Sequence, residues 1–305
     1  MLRRFKIMDG RLVESGETNG NVLVYVNPLE AERRELIERF KLDEHTLASS
    51  LDPDELSRLE FEPDHVAMIF KRPKNYSSTD EFLFKVASTG IFLFKDSLIV
   101  VLAEDASLFD GRQFAKVNSL QEVVLKLIHR TIFHYEEHLK VINMISGQLE
   151  HEISTAMENK HLLNLFTLEK SLVYYVNAIN SNAMLVEKLK NYAARIGFTP
   201  ENLEFLDDII IENSQCREQA NVYSQVLSGL MDARVSIVSN NLNLLMKTLT
   251  LVMIAIMLPQ LVVSIFSMNV AMPLDHENIA SFWIIMAITA ASIGGVFFIW
   301  RYKKW

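Results

Sequence analysis

Apolar residues are spread unevenly along this chain. No charged residue interrupts them from Leu249 to Met268, nor from Ile279 to Trp300. Each run is long enough to cross a ~30 Å hydrocarbon layer as a helix. The pattern predicts one transmembrane helix over 249–269, a short loop over 270–278 and a second transmembrane helix over 279–300. Upstream the period differs. Within residues 1–115, segments rich in Val, Ile and Phe are bounded by polar clusters: Asn21–Asn27, His65–Arg72, Glu81–Thr89, Ile91–Asp96 and Ser97–Asp105. They read as strands. Pro28–Leu42 reads as a helix with Pro in its first turn, and "DPDELSRLE" from Asp52 as the start of another. Residues 1–115 thus form an N-terminal α/β domain.

From Ser119 the period becomes helical. Ser119–Lys160 and His161–Ile196 read as two long helices, the second ended by "GFTPEN". They assign 116–200 to the helical part of an α+β cytoplasmic domain. From Glu201 no stop signal intervenes before Pro259, inside the first span. One helix of about seventy residues, ~100 Å at 1.5 Å per residue, is expected there. Its half over 201–248 is a stalk that leads into the membrane.

Charge sets the orientation. Lys247 precedes the first span, and Arg301, Lys303 and Lys304 follow the second in a basic tail, 301–305. Residues 270–281 hold no Lys or Arg, but the loop has Asp275, His276 and Glu277. By the positive-inside rule both termini are cytoplasmic and the acidic loop is external. The N-terminus lacks the apolar core of a secretory leader. The net charge of −8 argues against a nucleic-acid partner, and Cys216, the single cysteine, cannot form an internal disulfide.

The long helix carries a further period. Alternate steps of four and three from Asp232 pass through Ser236, Ser239, Asn243, Met246, Thr250, Met253, Met257, Gln260, Ser264 and Ser267, a 3.5-residue repeat over five heptads. Off this seam the span is Leu, Ile, Val and Phe apart from Ala255 and Pro259. Small and polar residues can simply hold membrane helices together. Alternatively, several copies surround an axis and the stripe lines a water-filled path, as intramembrane polar groups most often do. Hydroxyls, amides and thioethers suit a hydrated cation, and Mg²⁺ sheds its waters reluctantly. Two spans per chain cannot enclose a pore, so this reading requires an oligomer. Pro259 frees a carbonyl, which a cavity-lining position tolerates. Just beyond Ser267, a ring of Asn269 amides would offer neutral oxygens to an arriving ion, and Asp275 and Glu277 would raise its local concentration.

"SNNLNLLMKTLT" (Ser239–Thr250), a Pro-containing span ending in Ser267-Met268-Asn269, an acidic loop, a second span and the tail "RYKKW" resemble the CorA metal ion transporters. That family's signature is Gly-Met-Asn at the outer end of the first span; here Ser267 stands in place of Gly. The resemblance covers the whole layout. It implies a homopentameric funnel in the cell inner (plasma) membrane, with a central pore for Mg²⁺, Co²⁺ or Ni²⁺, or Zn²⁺ in one branch. It also implies Ser267, Met268 and Asn269 as selectivity motif, and Asn243, Met246, Leu249, Thr250, Met257, Gln260 and Ser264 as pore lining, beside Met253 from the stripe. Asp208 and Asp232 match regulatory metal-sensing positions. A Zn²⁺ or other transition-metal transporter of the same fold is the alternative, and a non-conducting sensor or scaffold the alternative of another class.

Other residues carry weaker signals. His134 and His138, at i, i+4 in "HYEEH", could hold Zn²⁺ with Glu137 or His151, though a solvated helix face fits the same spacing. Asp207, Asp208 and Glu212 could sense metal or be a solvated face. Asp52, Asp54 and Glu55 look like a helix start. Cys216 reads as packing. No nucleotide-binding Gly-rich loop and no nucleophile with a partnered base is present, so an enzyme is not expected.

Overall fold

The structure is a computed structural model. It describes all residues except 17–19, 78–79, 107, 110–111, 156–158, 269, 271–273, 275–278 and 304–305, and no side chains at 112, 151–155, 159–161 and 303. The chain divides into two units, Met1–Met231 and Asp232–Trp305.

The first unit is built on a seven-stranded sheet: β1 (Leu2–Met8), β2 (Arg11–Glu14), β3 (Val22–Val26), β4 (Arg58–Phe61), β5 (His65–Pro73), β6 (Val86–Phe94) and β7 (Leu98–Leu102). Its order is β2-β1-β3-β7-β6-β5-β4. Only β3 and β7 run parallel; the other neighbours are antiparallel, which makes the domain α+β. The central strands are near-continuous in hydrophobicity because both faces are covered. One face sends Val24, Met68, Phe70, Ile91 and Val100 against α3 (Leu120–Thr155) and α4 (Asn159–Asn191). The other sends Tyr25, Ala67, Phe92, Ile99 and Val101 against Leu36 and Leu47 of α1 (Glu30–Phe40) and α2 (Glu44–Ser49).

Two expectations change. The segments Glu81–Thr89 and Ile91–Asp96 are one strand, β6, preceded by left-handed residues at Glu81 and Phe82. Gly90 does not break it. A Cβ there would lie 2.5 Å from the Ser50 Cβ, so glycine lets the end of α2 rest on the sheet. The helix expected from Asp52 is instead a turn followed by β4. The buried Lys71 ammonium donates to the Pro53 carbonyl, and Ser88 Oγ donates to that of Asp52. These bonds pin the turn's carbonyls to the sheet, so Asp52, Asp54 and Glu55 start no helix. The capped helix is upstream: Asp43 accepts the Thr46 N–H at 2.8 Å and opens α2.

β4 begins at Arg58, opposite Ile69, and ahead of it a side chain takes over from a strand. Asn182 on α4 accepts the Lys71 N–H at 2.9 Å, donates to the Lys71 carbonyl at 2.8 Å and accepts from Ser57 Oγ at 2.7 Å. Beside it, Ser181 Oγ accepts the Ser57 N–H, and Ser171 Oγ accepts that of Phe84.

After the short α5 (Ala193–Ile196), α6 runs unbroken from Pro200 to Phe266. Thr199 caps its start, with Pro200 in the first turn. Asn202, Leu206, Ile209, Asn213, Cys216, Ala220 and Leu227 are its buried positions in the first unit. The second unit contains α6 from Asp232 onward and α7 (Ile279–Lys303).

Candidate functional site

Two rows of residues mark the part of α6 that lies in the second unit. Within the apolar run, Leu251, Ala255, Pro259, Val262 and Phe266 are half-buried and their neighbours exposed. In α7 the corresponding positions are Ser281, Ile285, Thr289, Ser292 and Val296. Both rows recur every three or four residues, so each is a single helix face, and among the described elements of this unit each helix has only the other to cover that face. Each helix contains a stretch long and apolar enough to cross a membrane.

The polar stripe is elsewhere. Thr250, Met253, Met257, Gln260, Ser264 and Ser267 are all exposed. At 100° per residue their centre is about 170° around the helix from the α7-facing row. The stripe therefore does not hold the two helices of one chain together. Pro259 belongs to the other row with Ala255, whose carbonyl it leaves without a helical donor. That carbonyl lies on the α7 side, which corrects the expectation that Pro259 opens the polar face.

The stripe's hydroxyls have a common chemistry. Ser236 Oγ donates to the Asp232 carbonyl at 3.0 Å, Thr250 Oγ1 to Met246 at 2.8 Å and Ser267 Oγ to Ser264 at 2.9 Å. With their protons committed to the backbone, these oxygens present acceptor lone pairs outward. Asn243 and Gln260 add amides, and Met246, Met253 and Met257 thioethers. Such a wall carries acceptors without formal charge. Leu249 is exposed beside the stripe. The helix closes at Ser267, whose N–H reaches the Val263 carbonyl at 3.0 Å, and Met268 is exposed in the following turn. Asn269, Asp275 and Glu277 lie outside the described residues.

The first unit redistributes the other sequence candidates. Asp207 pairs with Lys190 at 2.8 Å and Glu212 with His129 at 2.7 Å, which leaves Asp208 without an ion pair among the described residues. Asp232 is exposed. Among those residues no three His, Cys, Asp or Glu side chains are gathered as a metal would need. His134 and His138 do meet, with ring centroids 4.4 Å apart, but His138 Nδ1 is 2.6 Å from the Tyr175 hydroxyl and its ring lies against Phe84. Burial, and for His134 also the nearby charge of His138, pushes both imidazoles down to about 4. They form a neutral packed pair rather than a solvated face. Glu137 pairs with Arg130, and the side chain of His151 is outside the described residues. Burial pushes the Cys216 thiol up to about 12, which fits packing and not reactivity.

An α+β unit, a long helix whose far end is apolar and exposes a polar face, and a second apolar helix make up the layout of a two-span membrane protein. Residues 23–301 match the family described as CorA-like Mg2+ transporter protein, and the chain belongs to that family. It is 24% identical over 290 residues to the cobalt/magnesium transport protein CorA of Methanocaldococcus jannaschii, covering 92% of this chain and 89% of the relative. The complete structure of the CorA magnesium transporter from that organism superposes with a TM-score of 0.83 at 20% identity, over 98% of this chain and 96% of the other. The ZntB cytoplasmic domain from Vibrio parahaemolyticus superposes with a TM-score of 0.60 at 14% identity, over 78% and 98%.

Proposed function

We propose that this chain transports divalent cations, with Mg²⁺ as main cargo and Co²⁺ or Ni²⁺ accepted, through a pore formed by five copies around the polar stripe of α6. The observation that carries this reading is the stripe's placement, opposite the face that α7 covers. In a membrane a row of hydroxyls and amides needs either a polar partner or water. A ring of copies supplies both. The family membership and the names of its CorA relatives support the cargo.

In this reading residues 1–200 and the stalk over 201–248 are cytoplasmic, as are both termini, and the protein is a multi-pass inner-membrane protein. Asn269 receives the hydrated ion behind the acidic loop of Asp275 and Glu277. Ser267, Ser264, Gln260, Met257, Met253 and Thr250, then Leu249, Met246 and Asn243, conduct it. Uncharged acceptors contact the hydration shell without stripping it, as an ion with tightly held waters requires. Met246 and Met257 form apolar rings that close the path by dewetting. The membrane potential is enough of a driving force, about 4.6 kcal/mol for a doubly charged ion per 100 mV. Asp208 and Asp232 are the regulatory metal positions, completed by another copy.

Ser267 in the motif keeps Zn²⁺ as the second cargo to test. Uptake of Mg²⁺ and Zn²⁺ into proteoliposomes at a set membrane potential decides the matter. Selective Mg²⁺ entry, lost in Asn269→Ala, is the expected result. Preference for Zn²⁺ would change the cargo. An assembled oligomer that passes neither ion would make the chain a scaffold or sensor.

A further inference from the structure

At the end of the sheet where β4 turns into β5 and β6 into β7, a cavity of about 370 Å³ opens between these turns, α5 and the start of α3. It is separate from the stripe, and nothing in the proposed transport uses it. Four charged side chains stand around it: Glu62 and Asp64 on the first turn, Lys95 on the second and Arg195 on α5. The two signs balance. Yet among the described residues none of the four forms an ion pair, with each other or with any other group. The cavity keeps the two carboxylates beyond salt-bridge reach of the two cations.

Arg195 is not loose. Its guanidinium stacks over the Phe61 ring, 4.0 Å from the centroid, and Tyr192 closes on that ring edge-on at 5.1 Å. Stacking fixes the guanidinium plane and leaves its edge donors available, the geometry in which arginine forks a carboxylate.

His65 borders the cavity through the strand, but its ring is turned to the other face of the sheet, stacked on Phe94 at 4.7 Å, and is no part of the site. Gln121 adds an amide from α3, while Val66, Leu93 and Ile196 supply apolar wall. The volume falls in the range of small-molecule sites.

We infer that this cavity binds a small zwitterion of the α-amino-acid class, its carboxylate forked by Arg195 and Lys95 and its ammonium held by Glu62 and Asp64. A ligand of either single charge would meet two repelling side chains for every two that attract it. A ligand with both charges, set apart as the cavity sets its walls apart, completes all four. Gln121 then bonds the ligand's remaining polar edge, and the apolar wall takes its side chain.

The test is calorimetric titration of the detergent-solubilised full chain with leucine, phenylalanine, glutamine and glutamate. Each is compared with its N-acetyl and methyl-ester forms, and with ATP as an anionic control. Saturable binding of at least one free amino acid is expected, weakened about tenfold or more by either blocking group. Arg195→Gln, an exposed position that leaves the fold intact, should weaken it as far. The inference is overturned by no saturable heat from any of the four, or by binding that survives either block. Affinity unchanged in both Arg195→Gln and a Glu62→Gln/Asp64→Asn double variant, or ATP binding in place of the amino acids, would overturn it as well.

Discussion

Val262 and Ser264 stand two residues apart on α6 and look in opposite directions, Val262 half-buried toward α7 and Ser264 exposed on the polar stripe. One helix thus carries two unlike surfaces, one satisfied inside the chain and one awaiting other copies.

That separation makes the stripe testable residue by residue. Gln260→Leu should cut Mg²⁺ uptake into proteoliposomes by about tenfold or more, because it replaces an acceptor on the path with an apolar ring. Ile265→Leu, about 110° around the helix from the stripe, should conduct as the unaltered protein does. Equal flux in the two variants would remove Gln260 from the pathway.

Asn182 offers a stability prediction far from the membrane. Asn182→Asp keeps the acceptor but cannot donate to the Lys71 carbonyl, and it places a charge in a buried site. Asn182→Leu loses all three bonds. Each change should cost about 2–3 kcal/mol in urea unfolding. A change below about 0.5 kcal/mol would show that water or a neighbouring group takes over the amide's role.

Gly90→Ala should destabilise by roughly 1–3 kcal/mol, since the new methyl meets Ser50. Ser50→Gly in the same chain should recover much of that loss. A double variant no more stable than the single would place the clash elsewhere.

The histidine pair gives a pH dependence with a definite sign. His134 and His138 are pushed down to about 4 in the folded chain, from 6.5. Between those values the unfolded chain binds more protons, so stability is full above about pH 6.5 and falls as pH drops toward 4. Over that window unfolding free energy should fall by at least ~1 kcal/mol. A His134→Phe/His138→Gln variant should show a flatter slope, and an unchanged slope would assign the titration to other groups.

The membrane half was legible in the sequence because its signals are long and periodic. Two uncharged runs and a 3.5-residue repeat do not depend on what packs against them. The sheet was legible only where both faces are buried, as in β5 and β7. β1 escaped because Arg3, Arg4 and Lys6 break its apolar pattern, though Arg3 pairs across the strand with Glu14 at 2.9 Å. β4 escaped because the acidic stretch before it imitates a helix start. Gly90 imitated a strand break, and only the position of Ser50 explains it. The tie between Asn182 and Lys71 spans 111 residues, and no local pattern announces it. The facing rows of α6 and α7 were likewise hidden, because leucine and valine look alike whether they meet lipid or a helix.

The clasp of Lys71 on the Asp52–Pro53 turn has one more consequence. Asp52, Asp54 and Glu55 all pull on this buried ammonium. The cation that holds this turn's carbonyls is tethered to the sheet and cannot diffuse away, so the turn keeps its shape by a covalently anchored charge rather than by a dissolved one.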